Sequence, residues 1–74
     1  MKSILVLWYG WVLVGEWDKK SKTLKGAQCI RRWGTTTGIG ELRNGPLSGT
    51  VLEDMGDVLI PQKPLIVIEA KGWK

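Results

Sequence analysis

The segment from residue 30 to residue 46, IRRWGTTTGIGELRNGP, contains most of the side chains that could bind a ligand. In a loop rich in glycine and threonine, successive backbone N–H groups can surround an anion, and a following helix N-terminus adds partial positive charge. Hydroxyl and guanidinium groups nearby would add hydrogen bonds to the same anion. We therefore predict a ligand-binding site formed by six residues, Arg31, Arg32, Trp33, Thr35, Thr36 and Arg43.

The glycines of this segment also allow a second interpretation. Residues 34–40, GTTTGIG, lack the Lys-Ser/Thr ending of a P-loop and do not match the spaced glycines of a dinucleotide-binding turn. Glycine is equally common where a tight connection needs a positive φ angle. The sequence leaves two interpretations open, a loop that contacts a ligand or partner and a loop that only connects two elements.

Little in the sequence supports catalysis. The chain has no histidine and one cysteine, which excludes Ser-His and Cys-His pairs and an ordinary zinc site. We expect Cys29 to be a small buried apolar residue, and the acidic segment 53–57 to be a solvated hairpin turn instead of a cation site. The prediction is a protein that is not an enzyme and has no cofactor and no bound metal.

Length and composition indicate one small domain. With 74 residues the chain is near the lower limit at which a hydrophobic core is stable alone, and its single cysteine cannot form an internal disulfide. A reduced, intracellular environment fits that cysteine usage. Because no disulfide or metal supports the core, we predict a homo-oligomer. The apolar residues 4–14 are too few to span a bilayer and precede no cleavage site, so we predict no membrane association.

Charge and tryptophan content indicate the class of partner. The net charge is +4, and residues 18–43 contain seven basic residues against Asp18 and Glu41, a net of +5. Such a field favours an anionic partner. The chain also has five tryptophans, which can be core or interface anchors or can stack on bases. A small basic β-barrel that binds nucleic acid is therefore one alternative, and a purely structural virion or interaction component is another.

Short β-branched and aromatic runs predict the elements that position the loop. We expect a polar hairpin tip at residues 18–22, a helical turn at Ile39–Asn44, and strands at residues 4–9, 11–14, 24–33, 50–53, 58–60 and 65–70. This pattern predicts an all-β fold, a mainly antiparallel and partly open small barrel, SH3-like or similar, with one short helical turn. Strand alternation places Arg31 and Arg32 on opposite faces unless a bulge intervenes.

The central segment resembles a family of short phage and prophage proteins of unknown function. The resemblance covers residues 30–36 (IRRWGTT), 38–42 (GIGEL) and Gly45-Pro46, and it extends to the order of the other segments, V-x-V-G at 12–15, T-V-L-[ED] at 50–53 and a proline before the last strand. It implies a phage accessory protein in the cytoplasm of the host cell, with no site residue to transfer. By analogy with small phage inhibitors, it implies binding of a host protein or sequestration of a nucleotide-type defence signal.

Overall fold

A computed structural model describes residues 1–73 of the protein as one five-stranded antiparallel sheet. The strands are β1 (Lys2–Val6), β2 (Val12–Asp18), β3 (Thr23–Arg32), β4 (Val51–Leu59) and β5 (Ile66–Glu69). Their spatial order is β4-β3-β2-β1-β5, so β4 and β5 form the two edges and the sheet does not close among the described residues. Short 3-10 segments lie at Trp8–Gly10 and Ile39–Asn44. The predicted all-β antiparallel fold with a short helical turn is confirmed.

The central strands are apolar on both sides, and the sheet has a core on each face. On the first face, Ile4, Val14 and Ile30 pack with Leu42 and Ala70. The second face buries a different set, Leu5, Leu13, Leu24, Ala27, Cys29 and Ile60. Because successive residues of a strand point to opposite faces, the continuous apolar runs of β1 and β2 supply both clusters. Both sides of these strands are therefore buried.

The first face is covered by the long connection from β3 to β4 and by the C-terminal residues. Leu42 of the 3-10 segment is fully buried against this face. The Gly72 N–H donates to the Arg43 carbonyl at 3.0 Å, and the indole N–H of Trp73 donates to the Leu42 carbonyl. These bonds satisfy carbonyls that a short helical segment leaves unpaired at its end. The predicted docking of Trp73 on the domain is thus observed.

The second face is crossed by residues 60–65, which we call the strap. It joins edge strand β4 to edge strand β5 at the opposite side of the sheet. Four strand spacings amount to about 19 Å, which a nearly extended chain of this length can span. The Ile60 N–H donates to the Lys22 carbonyl at 2.7 Å, and the Leu65 N–H donates to the Val6 carbonyl at 2.9 Å. Pro61 and Pro64 suit an extended crossing because they have no N–H to leave unpaired.

The expected hairpin at residues 54–57 is wrong, because β4 continues through this acidic segment as one strand. Each acidic side chain there has a partner on β3. Glu53 accepts from Arg31 at 2.9 Å and Asp54 from the Gln28 amide at 3.0 Å, while Asp57 accepts from the Gly26 N–H at 2.8 Å. Register shifts on either side of Ala27 accommodate Gly56 at φ +70° within the strand. Cross-strand pairing therefore replaces the solvated turn.

Candidate functional site

The Gly/Thr-rich loop is closed around the carboxylate of Glu41. This side chain accepts hydrogen bonds from the backbone N–H groups of Thr36, Thr37 and Gly38, the first at 3.0 Å and the last at 3.2 Å. The Thr37 hydroxyl also donates to it, at 2.6 Å. Gly38 is the N-cap of the 3-10 segment Ile39–Asn44, so the Glu41 side chain reaches back over the start of its own segment. The loop thus has the anion-binding form that the sequence predicts, and the anion belongs to the chain itself.

These bonds set the protonation state of Glu41. Hydrogen bonds from the Thr37 hydroxyl and amide, with smaller contributions from Gly38 and Thr36, lower the pKa of Glu41 from 4.5 to about 2. The side chain is therefore ionised at neutral pH. An external anion would have to displace this carboxylate before it could use the same N–H groups, since each N–H donates most strongly to one acceptor.

Gly34, the first glycine of the loop, has a packing role. Gly34 has φ +69°, and a β-carbon there would collide with the backbone of Gly49 and lie 2.6 Å from the Thr50 nitrogen. The Thr50 hydroxyl donates to the Trp33 carbonyl at 2.6 Å and accepts from the Leu47 N–H at 2.9 Å. The two ends of the β3–β4 connection are therefore held in direct backbone contact.

The six predicted site residues lie in two separate places. Arg43 donates to the Gly40 carbonyl at 2.9 Å and lines an open cleft of about 540 Å³ beside the 3-10 segment, a cleft that none of the other five lines. The backbone of Thr36 is bound to Glu41. Arg31 forms an ion pair with Glu53, which is paired in the sheet with Cys29 of the second face. Arg31 therefore lies on the opposite face of the sheet from this cleft.

The remaining predicted residues have few contacts of their own. Arg32 and Trp33 are exposed at the end of β3, Thr35 is partly buried, and Arg32 forms no ion pair within the described part of the chain. The register shifts between Ile30 and Arg32, which is the bulge that the sequence prediction allowed for at this point. Arg31 therefore faces away from the loop, on the second face with Cys29.

An exposed aromatic turn, residues 7–11, was not among the predicted site residues. The first strand, expected to reach residue 9, ends at Val6, because the Leu7 N–H donates to the Trp11 carbonyl at 2.8 Å and closes a tight turn. Tyr9 has φ +62° and is 100% exposed, and Trp8 and Trp11 are 53% and 51% exposed. The sequence signal for this turn was Gly10 between two apolar runs, which indicates a hairpin tip. Aromatic residues at such a tip lie outside the core.

The aromatic turn lies beside Arg31. Tyr9 and Trp11 line a groove of about 270 Å³ together with Arg31 and the buried Cys29 and Ile30. Arg31, Arg32 and Trp33 are consecutive in β3 and in the residue that follows it. We refer to the turn and these three residues as the aromatic–arginine surface. It combines large rigid aromatic groups with guanidinium groups at one end of the sheet.

Within residues 1–73, no group of three or more acidic, cysteine or histidine side chains could hold a metal ion. Burial raises the pKa of the Cys29 thiol, so the thiolate needed for nucleophilic attack is disfavoured. In the same part of the chain, no helix is long and apolar enough to cross a membrane.

Comparison with known proteins adds no relative. No protein-family model matches the chain, and neither a curated protein nor a solved structure matches it. The function therefore has to be argued from the surfaces described above.

Proposed function

We propose that the protein is a non-enzymatic phage accessory protein that binds a host protein through the aromatic–arginine surface. The observation that supports this proposal is the exposure of Tyr9 and Trp11 next to Arg31, with Trp8 exposed in the same turn. Trp, Tyr and Arg are the residue types that dominate binding energy at protein interfaces. Soluble monomers rarely expose contiguous apolar surface without a use for it.

The Gly/Thr-rich loop has a supporting role in this proposal. Glu41 occupies the N–H groups that an anionic ligand would need, which favours a protein partner over a small anion at this position. The same bonds hold the connection after Trp33 in one conformation. A preorganised surface loses less conformational entropy on binding, and so binds more tightly.

Self-association is part of the proposal and uses edge strand β5. Leu65, Ile66 and Val67 are each about half exposed. The Ala70 N–H donates to the Lys2 carbonyl, so alternation turns the N–H and C=O groups of Val67 and Glu69 away from β1. An exposed edge with free hydrogen-bonding groups is a template for another strand. We propose that β5 of two subunits pair antiparallel to form a homo-oligomer.

Nucleic-acid binding has less support from the positions of the residues. The lysines of the β2–β3 turn follow the end of β2, whereas the aromatic turn precedes its start. A seven-residue strand separates the two by roughly 23 Å. A single-strand binding track needs phosphate-binding and stacking groups to alternate along one groove.

The proposed host contact is tested with tagged protein in host-cell lysate. Tyr9→Asn combined with Trp11→Gln removes two exposed aromatic groups, and asparagine tolerates the positive φ of residue 9. We expect a host protein that is captured at stoichiometric amounts by the unchanged protein and lost with the double variant. The matched control is Met55→Gln on β4, which also removes an exposed apolar group but lies outside the surface. Equal capture by all three proteins, or no stoichiometric partner for the unchanged protein, would overturn the proposal.

A further inference from the structure

A second concave site lies between the strap and the β2–β3 turn, and Tyr9, Trp11 and Arg31 do not line it. It is a cavity of about 320 Å³ whose walls are mainly apolar, formed by Trp17, Ile60, Pro61, Pro64 and Val67. Lys19, Lys22 and Lys63 also line it and supply its positive charge. Ligand sites typically have this composition, apolar walls with a few polar groups placed around them.

The sheet and the strap fix the shape of this cavity. The hydrogen bond from the Ile60 N–H to the Lys22 carbonyl, at 2.7 Å, holds the strap against the β2–β3 turn. The Asp18 carboxylate accepts from the backbone of Lys20 at 3.0 Å and of Ser21 at 3.4 Å, so it is used within the turn. Trp17 packs against the core of the second face. The walls are thus present before any ligand arrives.

Charge at the cavity selects the ligand. Its lining includes three lysines and no acidic residue. None of the three lysines forms an ion pair with another residue of the described chain. A carboxylate has one negative charge and would neutralise only one of the three lysines. A phosphate group has up to two negative charges and three strong acceptor oxygens, so it matches the lysines better.

The apolar walls select the other end of the ligand. One indole and two proline rings present flat surfaces, and aromatic rings stack on tryptophan in preference to flexible chains. The volume is near the lower end of the range for ligand sites, about 300–1,000 Å³, which suits one ring system. We propose that this cavity binds a phosphorylated aromatic compound such as a nucleoside phosphate, with its base against Trp17 and its phosphate among Lys19, Lys22 and Lys63.

The test is calorimetric titration of the full-length protein at low salt with AMP, adenosine, inorganic phosphate and laurate. We expect saturable binding of AMP, with adenosine and phosphate each at least about tenfold weaker because each uses only half of the cavity. Raising the salt concentration should weaken AMP binding, since the lysine contacts are screened. Stronger binding of laurate than of AMP would identify an acyl-carboxylate site and overturn the proposal, as would the absence of saturable AMP binding.

Two variants locate the binding. Lys63→Gln removes one ammonium group from the exposed strap and should weaken AMP binding by about tenfold or more, as expected for loss of a charge-assisted hydrogen bond. Lys20→Gln removes the same charge from the adjacent turn, outside the cavity lining, and should change affinity by less than about threefold. Equal effects of the two substitutions would show nonspecific attraction and refute the site. Neither outcome depends on the host-protein contact, since Tyr9 and Trp11 lie elsewhere.

Discussion

Replacement of Gly34 by alanine should destabilise the fold, and the chain contains its own control. Gly34 and Gly56 have almost the same positive φ angle, +69° and +70°. At Gly56 a new β-carbon meets nothing within 4 Å, whereas at Gly34 it lies 2.6 Å from the Thr50 nitrogen and still closer to Gly49. Both substitutions therefore place alanine at a positive φ angle, and only Gly34→Ala adds a collision between the β-carbon and the backbone of Gly49 and Thr50.

The magnitudes follow from these two contributions. A non-glycine residue in the left-handed region costs about 1–2 kcal/mol, which is the expected loss for Gly56→Ala. Forced overpacking adds about 1–3 kcal/mol, so Gly34→Ala should lose about 2–5 kcal/mol in total. For 74 residues the expected free energy of unfolding is about 4–11 kcal/mol. Gly34→Ala should thus remove a large part of the stability, and Gly56→Ala a smaller part.

Urea unfolding followed by tryptophan fluorescence measures both losses. The five tryptophans give a strong signal, and an unchanged m-value would show that the same surface is exposed in each variant. If Gly34→Ala and Gly56→Ala shift the urea midpoint equally, the backbone contact between Gly34 and Gly49 contributes nothing. That result would refute the packing role of Gly34.

Two further predictions concern titrating groups. The folded-state pKa of Glu41 is about 2 against 4.5 for the free side chain, so its stabilisation is present above pH 4.5 and is lost as pH falls towards 2. The urea midpoint of Glu41→Gln should therefore lie below that of the unchanged protein at pH 6 and approach it near pH 2; a constant difference would exclude this linkage. Because Cys29 is buried and its thiol pKa is raised, a disulfide reagent such as DTNB should modify it only in urea, and fast modification without urea would contradict the burial.

The sequence predicted correctly those elements that end at residues with strong turn preferences, such as glycine, proline and aspartate. The 3-10 segment Ile39–Asn44 was predicted with its observed bounds, since Gly45 and Pro46 end a helical turn for reasons internal to those residues. The polar residues 18–22 likewise marked the β2–β3 turn, where Asp18 binds the backbone of the turn. The alternation of β3 also followed from sequence between Ala27 and Ile30, whereas register shifts before Ala27 and at Arg31 interrupt it.

Long-range pairing decided the elements that the sequence did not predict. From local sequence, the acidic residues of β4 indicate a turn. Their hydrogen-bond partners on β3, Gln28 and Gly26, are 26 and 31 residues away in the chain, so local sequence does not reveal the pairing. The candidate site was subject to the same limit. The donors of the loop were predicted, but their occupation by Glu41 depends on which way one side chain turns. The second-face cavity depends on where the strap crosses the sheet.

The structure also changes the reason to expect an oligomer. From sequence, a homo-oligomer was predicted because neither a disulfide nor a metal supports so small a core. In the structure the β3–β4 connection covers the first face, and the strap contributes Ile60 to the second. The core of a single subunit is therefore covered by its own chain, and a stable monomer would contradict nothing in the sheet itself. Self-association is instead supported by strand β5. Its outward-facing N–H and C=O groups and its half-exposed apolar side chains are covered by no segment of the described chain.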